Sequence, residues 1–388
     1  MSEYPSDWTT TQLQSVAKDF VVPMRDRPKR FTGSIPWIRI EDFTGKWVSR
    51  SQSGLCVDDE IIQGMNLKVH PQGSVLCSCS ARLGVCAITE RPLITNQTFI
   101  GIVPDVTKID PEYLYYLMCS KATQLQALSS GTTIAYLPRQ KFEEFEISIP
   151  PLPEQKKIAE ILSGIDKLIA ITNSRMISEK HLRVGLLEEM ISEKRTFLKL
   201  DSVTTRVSGH TPSKSNSGYW NGGIPWISLS DTAKLDKRYI SDTAKEISEQ
   251  GIQNSSAVLH PAGLVVLSRD ARVGCSAITT KKMAVSQHFI GWICSGQILN
   301  RYLYYVLQKW KHKFEAIAMG STIPTIGVPF FRDLEIPVPS TSEQQKIADT
   351  IESVDCHIEE LSQRIFSLQN LKSAISSDLL SGRKRVSI

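Results

Sequence analysis

The sequence predicts an α+β architecture: two similar domains, each a curved and mostly antiparallel sheet with helices, separated by two long helices. Three observations carry this. The chain repeats itself at an offset of 189 or 190 residues: GSIPWI at Gly33–Ile38 returns as GGIPWI at Gly222–Ile227, and YLYYL at Tyr113–Leu117 returns as YLYYV at Tyr302–Val306. PLPEQKKIAEIL from Pro151 returns as STSEQQKIADTI from Ser340. A repeat this long is a duplicated domain, not a solenoid unit of about 20–50 residues. Within each copy, β-branched and aromatic runs with Gly, Pro and Ser punctuation give way to a long proline-free stretch.

In chain order, residues 1–150 form the first globular domain, 151–196 the first spacer helix, 197–339 the second domain and 340–388 the second spacer helix. Ile35–Ile40, Ser74–Cys79 and Val85–Thr89 read as strands joined by tight turns. Pro111–Leu128 and its copy Ile298–Ile317 read as helices. In the second spacer, Ile347, Ile351, Val354, Ile358, Leu361, Ile365 and Leu368 alternate steps of four and three, the seam of a coiled coil. Lys372 interrupts the seam before Ile375 and Leu379. The first spacer carries Ile158, Leu162, Ile165, Ile169, Thr172 and Met176 in the same register and weakens at Glu179 and Arg183. The natural partner of each stripe is its own duplicate. Pro153 suits a first helical turn, and Thr341 with Gln344 fits a capping box. A helix of about 38 residues would span roughly 57 Å.

Composition is that of a soluble globular protein, with 41% hydrophobic and 22% charged residues. No apolar run approaches the length of a membrane span, and the N-terminus lacks the pattern of a signal peptide. The eight cysteines include no CxxC pair. They read as reduced thiols of a cytoplasmic protein, with no metal site expected. Residues 1–150 are near neutral, whereas 195–337 carry 17 Lys and Arg against 10 Asp and Glu. If both domains bind DNA, the second supplies more of the phosphate attraction. For any single cation a solvated surface is the simpler reading.

Catalytic machinery is absent from the motifs. There is no phosphate loop, no GxGxxG turn, no nucleophile elbow and no HExxH helix. The Asn/Asp-Pro-Pro-aromatic tetrapeptide of an adenine methyltransferase is missing, since Pro150-Pro151 lies between Ile149 and Leu152. His70 and His260 each precede a proline, which suggests a turn.

IPPLPEQKKIAEIL and IPVPSTSEQQKIADTI, together with both Ile-Pro-Trp-Ile motifs and the Gly131–Ile134 and Gly320–Ile323 segments, resemble the specificity subunit of Type I restriction–modification systems. The resemblance covers essentially the whole chain. It implies two target-recognition domains separated by helices that pack as an antiparallel coiled coil. It also implies a chain without chemistry of its own, directing partner subunits to a split, asymmetric target on double-stranded DNA. The implied partners are methyltransferase subunits, expected as two copies, and restriction/translocase subunits. S-adenosylmethionine, ATP and Mg would sit on those partners, with no cofactor on this chain. A stand-alone methyltransferase or nuclease and a protein-binding scaffold are the competing classes.

Candidate DNA-binding residues follow from the paired loops. Arg82 and Arg272 each precede a glycine by two positions between strands, and either reach DNA or satisfy strand-end carbonyls. Asn96, Gln97 and Gln287 either pair with adenine edges or serve as turn residues. Thr132, Thr133, Tyr136 and Arg139 lie in the last loop of the first domain, Ser321 and Thr322 in that of the second. Lys214 and Arg269 complete the set. Positions where the copies differ are candidates for the difference between half-sites. Glu154, Gln155, Glu343 and Gln344 are expected to cap and orient the helices and to touch a methyltransferase subunit.

Overall fold

The computed structural model describes residues 4–23, 27–80, 83–128, 137–192, 196–320 and 323–387. It divides into two compact units, residues 1–173 with 363–388 (unit 1) and 174–362 (unit 2). Each unit therefore takes one globular domain with half of each spacer helix.

In unit 1 a five-stranded sheet runs in the order Ala17–Val21, Phe99–Pro104, Val75–Ser78, Cys86–Thr89, Trp47–Val48. All neighbours are antiparallel except the last pair. A smaller sheet sets Ile35–Ile38 between Cys56–Val57 (antiparallel) and Ile94–Thr95 (parallel). Thr9–Gln12 pairs with Glu146–Ile149 beside them. Unit 2 repeats this strand for strand: Thr204–Ser208, Phe289–Cys294, Val265–Ser268, Ser276–Thr279, Tyr239–Ile240 form the larger sheet. Glu246–Ile247, Trp220–Ile227 and Ala284–Val285 form the smaller one, and Phe197–Lys199 pairs with Glu335–Pro337.

The central strands are covered on both faces, so their apolar runs are continuous rather than alternating. Successive side chains still point to opposite sides. Val75 and Cys77 join the core under helix Pro111–Ser120, while Leu76 joins Ile38, Val48, Ala87 and Leu93 on the other face. Val265 and Leu267 divide from Val266 in the same way. Asp110 caps helix Pro111–Ser120 by accepting from the Tyr113 amide, with Pro111 at the first position. The expected helix over 111–128 breaks at Lys121, which has φ −90° and ψ 4°, and resumes as Ala122–Ala127. Its copy likewise divides into Asn300–Lys309 and Lys311–Ile317.

His70 and His260 are buried and bridge to Leu93 and Met283 across short antiparallel contacts. Gly101 makes room for the first: a Cβ there would lie 2.1 Å from the His70 ring.

The spacers form helices Leu152–Met190 and Thr341–Leu380. In unit 1, Ile158 and Leu162 share a core with Leu379 and Leu380, and Lys372 bonds Asp166 at 2.6 Å. In unit 2, Leu187 and Ile191 share a core with Ile347 and Ile351, and Arg183 bonds Asp355 at 2.5 Å. Within each unit the helices are thus antiparallel. Ile165, Val354 and Ile365 are also buried, while Ile169, Met176, Ile358, Leu361 and Leu368 are half-buried. The polar interruptions at Arg183 and Lys372 are ion-pair positions, not breaks. Among the described residues no helix is long and apolar enough to cross a membrane.

Candidate nucleic-acid interface

In unit 2 three chain segments meet at one end of the larger sheet. The strand Val265–Ser268 runs into Arg269–Gly274. The segment Ser286–His288 leads into the strand Phe289–Cys294. Residues 319–320 and 323–326 fold back beside them. The Arg269 amide donates to the His288 carbonyl at 3.1 Å, and the Ile326 amide donates to the Arg269 carbonyl at 2.9 Å. The Ala271 amide, on a residue with φ 62°, donates to Pro324. Unit 1 uses the same backbone scheme: the Cys79 amide donates to Thr98 at 2.8 Å and the Leu137 amide to Cys79 at 2.9 Å.

On this shared scaffold the side chains differ. Arg269 is mostly buried and donates to the carbonyls of Gln287 (Nε, 3.1 Å) and Ile326 (Nη1, 3.1 Å). Against the expectation of a DNA contact, Arg269 spends its Nε and Nη1 donors on bracing the loops through two backbone carbonyls. Its counterpart in unit 1 is Cys79. Gln287 is exposed, and its Oε1 accepts from Thr211 at 2.5 Å. Arg272 and Lys214 are exposed. Asn96 is half-buried and accepts from Thr98 at 2.6 Å, while Gln97 is exposed. Arg139 is paired with Glu143 one helical turn on, at 2.6 Å. Arg82, Thr132, Thr133, Tyr136, Ser321 and Thr322 lie outside the described residues.

Sequence reasoning missed a second basic element in unit 1. Exposed Arg27, Lys29 and Arg30 line a cleft of about 490 Å³ with Ile61, Gly64 and Met65. The near-neutral charge of the whole domain hides this local cluster. Among the described residues no group of three or more His, Cys, Asp or Glu could hold a metal ion.

The helix-start residues are spent inside the chain. Gln155 is 1% exposed and Gln344 is 0%. Gln155 accepts from the Asp110 amide (2.9 Å) and donates to Lys108 (3.1 Å) and Pro150 (2.9 Å). Gln344 does the same with Leu299 (2.8 Å), Gln297 (2.9 Å) and Pro339 (2.9 Å). Each amide clamps a spacer helix to the start of the domain helix beside it. Buried Glu154 receives both Arg385 Nε and Nη2 at 2.6 Å, and the same guanidinium bonds Asp7. Burial therefore removes Glu154, Gln155 and Gln344 from direct contact with a partner subunit. Glu343 is exposed. The expected capping box of Thr341 with Gln344 is replaced by Ser340, whose Oγ accepts from the Glu343 amide at 3.3 Å.

A family model described as Type I restriction modification DNA specificity domain matches residues 5–179 and again 193–369. A Type I restriction enzyme specificity subunit of Methanocaldococcus jannaschii, MjaIX, is 32% identical over 163 residues, covering 42% of this chain and 38% of that protein. The putative MjaX specificity subunit of the same organism is 22% identical, covering 100% of this chain and 96% of its own length. The solved S subunit from M. genitalium has the same fold, with a TM-score of 0.61, 14% identity and coverage of 98% and 96%.

Proposed function

The chain belongs to the Type I restriction–modification DNA specificity family, and on that premise we propose that it reads a bipartite, asymmetric DNA target, one half-site per domain. Supporting this above all is one observation: both units carry the same backbone loop scheme beside the larger sheet, yet arm it with different side chains. Unlike heads on like scaffolds suit unlike half-sites. Base edges would be read by a few loop side chains, with cations such as Arg272, Lys214, Arg27, Lys29 and Arg30 on phosphates.

The reading assigns no reaction to this chain. Methylation and ATP-driven cleavage would belong to two methyltransferase subunits and to restriction subunits, which would hold S-adenosylmethionine, ATP and Mg. Exposed apolar residues on the long helices support docking there: Ile171 and Phe366 in unit 1, Ile177 and Val184 in unit 2. The helices would set the gap between half-sites. A matched seven-residue insertion in both helices keeps the heptad and adds roughly 10 Å, about three base pairs. Mapping methylated adenines in the host should show both half-sites unchanged and the gap between them altered. An unaltered pattern would reject the ruler.

A further inference from the structure

We propose that the cleft between residues 27–31 and the helix Asp59–Gly64 in unit 1 binds the phosphodiester backbone of DNA, an anchor that unit 2 does not possess; this rests on the DNA-reading function above. The segment is placed for it. Val21 pairs with Gly101, and the Phe99 amide donates to the Asn96 carbonyl at 3.4 Å, so the chain leaves the larger sheet at the end where the Asn96–Thr98 turn lies. Arg27, Lys29 and Arg30 are exposed, and among the described residues none of them has an ion pair or a hydrogen bond. Arg27 lies 5.4 Å from the centre of the Phe31 ring, which stands edge-on against buried Trp37. Asp58 meets Arg30 only through space, since its Oδ1 accepts from the Ile61 amide at 2.9 Å and its Oδ2 from the Thr32 hydroxyl at 2.7 Å. Three like charges around one concavity, with no carboxylate bonded to them, focus their field on it and gather anions there.

One side chain opens the cleft. Both units pin this segment at the same glycine: a Cβ on Gly33 would lie 2.5 Å from the Asp58 amide nitrogen, and one on Gly222 would lie 2.4 Å from Ser248 Cα. Upstream of the pin the units part. In unit 2, Gly251 stands in the helix Glu249–Gln253 and admits the Tyr219 carbonyl so closely that a Cβ would lie 2.6 Å from its oxygen. The Ser248 amide donates to that carbonyl at 2.9 Å, and the Ser248 hydroxyl donates to the Gly218 carbonyl at 2.6 Å. The segment is thereby zipped to its helix. In unit 1 the position of Gly251 holds Ile61. Its branched side chain occupies the space of that approach, keeps the segment off the helix and lines the 490 Å³ that results, with Gly64 and Met65. The positions of Arg27, Lys29 and Arg30 hold Asn216, Gly218 and Tyr219 in unit 2, none of them charged. Room and positive charge thus occur together in one copy and are both absent from the other, a coincidence that packing alone does not require. A backbone phosphate would meet the cations while its sugar lies on Ile61 and Met65.

The test measures binding of the full chain, assembled with its methyltransferase subunits, to a duplex bearing the mapped target and to a random-sequence duplex of equal length, between about 50 and 200 mM salt. The triple variant R27Q/K29Q/R30Q should flatten the dependence of log Kd on log salt by about 2–3, so that over this range the wild type loses roughly fortyfold more affinity than the variant. The change should be the same on both duplexes, with the methylated half-sites unaltered, because a phosphate contact carries no base preference. R27K/R30K keeps the charge and should keep the slope. K281Q/K282Q removes two exposed cations that follow the strand Ser276–Thr279, at the end of the sheet away from the loops, and should leave the slope as it is. The proposal is overturned by an unchanged slope in the triple variant, by an equal flattening in K281Q/K282Q, which would assign the effect to net charge, or by altered base preference, which would make these residues readers. It is also overturned if the triple variant binds DNA normally but no longer assembles, since the occupant would then be an acidic protein surface. A wild type that bound neither duplex would overturn the underlying function, and the cleft with it.

Discussion

The two units build the joint between domain and spacer helix from different residues to the same plan. In unit 1, Tyr116 donates to Asp166 at 2.6 Å, Asp166 pairs with Lys372, and Lys46 bonds Glu112 and Ser163. In unit 2, Tyr305 donates to Asp355 at 2.9 Å, Asp355 pairs with Arg183, and Arg238 bonds Glu352 at 2.9 Å. The acid that meets the domain's cation has changed element. Glu112 stands on the domain helix in unit 1. Arg301 takes that place in unit 2, and the spacer helix supplies Glu352, which serves Arg238 and Arg301 at once. What is preserved is a neutralised contact between domain and helix, not a particular pair. The loop ends, by contrast, share only their backbone.

The sharpest way to break the comparison is through its most similar part. Gln155 and Gln344 each make three hydrogen bonds from a buried amide. Gln155→Leu strands a buried amide and two carbonyls in unit 1, at a cost of about 3–5 kcal/mol. Gln344→Leu should do equal damage in unit 2. Hydrogen exchange followed separately in residues 1–173 and 174–362 should show each loss confined mainly to its own unit. A pair of variants that loosened neither unit would show that the clamps are dispensable.

Acid should separate the units next. Burial holds His70 down at about 3, well below the usual histidine range, and lowers His260 to a lesser degree, opposed by its bond to the Ser208 carbonyl. His70 Nε2 meets Thr95 Oγ1 at 2.9 Å and Nδ1 has no partner among the described residues. The unfolded chain takes up a proton below about pH 6.5 while the folded ring refuses it until about 3. Stability from this group is therefore present above 6.5 and lost as pH falls toward 3. Between pH 7 and 5 the loss for unit 1 is about 2 kcal/mol. Exchange in unit 1 should accelerate more than in unit 2 over that interval, and His70→Gln should flatten the difference. An unchanged difference would assign the acid sensitivity elsewhere.

The repeat, the central strands and the helix seams were legible because each rests on local pattern: offset, continuous apolar runs and heptad steps. Positions fixed by distant partners were not. Arg269 looks like a free cation in a loop, but two carbonyls 18 and 57 residues away take its donors. Lys372 looks like a defect in the seam until Asp166 is beside it. Gln155 and Gln344 stood out as a repeated motif, yet their bonds to the domain helix could not be read from the spacer sequence. Asp270 and His288 did leave a trace. Both stand where the copies differ, against Ser80 and Thr98, and a paired difference is the signal of a side-chain contact peculiar to one copy.

The smallest expected effect tests how far the joints are equivalent. Tyr116→Phe removes the hydroxyl from Asp166, which then keeps Lys372 at 2.6 Å. Tyr305→Phe removes the hydroxyl from Asp355, but Arg183 remains at 2.5 Å and Arg238 at 3.5 Å. A hydrogen bond to a charged group contributes about 1.5–3 kcal/mol when nothing replaces it. Unit 1 should thus lose about 2 kcal/mol and unit 2 about 1, since a second guanidinium already compensates Asp355, and Arg238, which loses its 2.9 Å bond to the Tyr305 hydroxyl, keeps both Glu352 and Asp355. Denaturant unfolding of the two variants, with exchange assigning each loss to its unit, measures the ratio. Equal losses would mean that Arg238 contributes nothing to Asp355 and that the exchange of Glu112 for Glu352 left the two joints energetically alike.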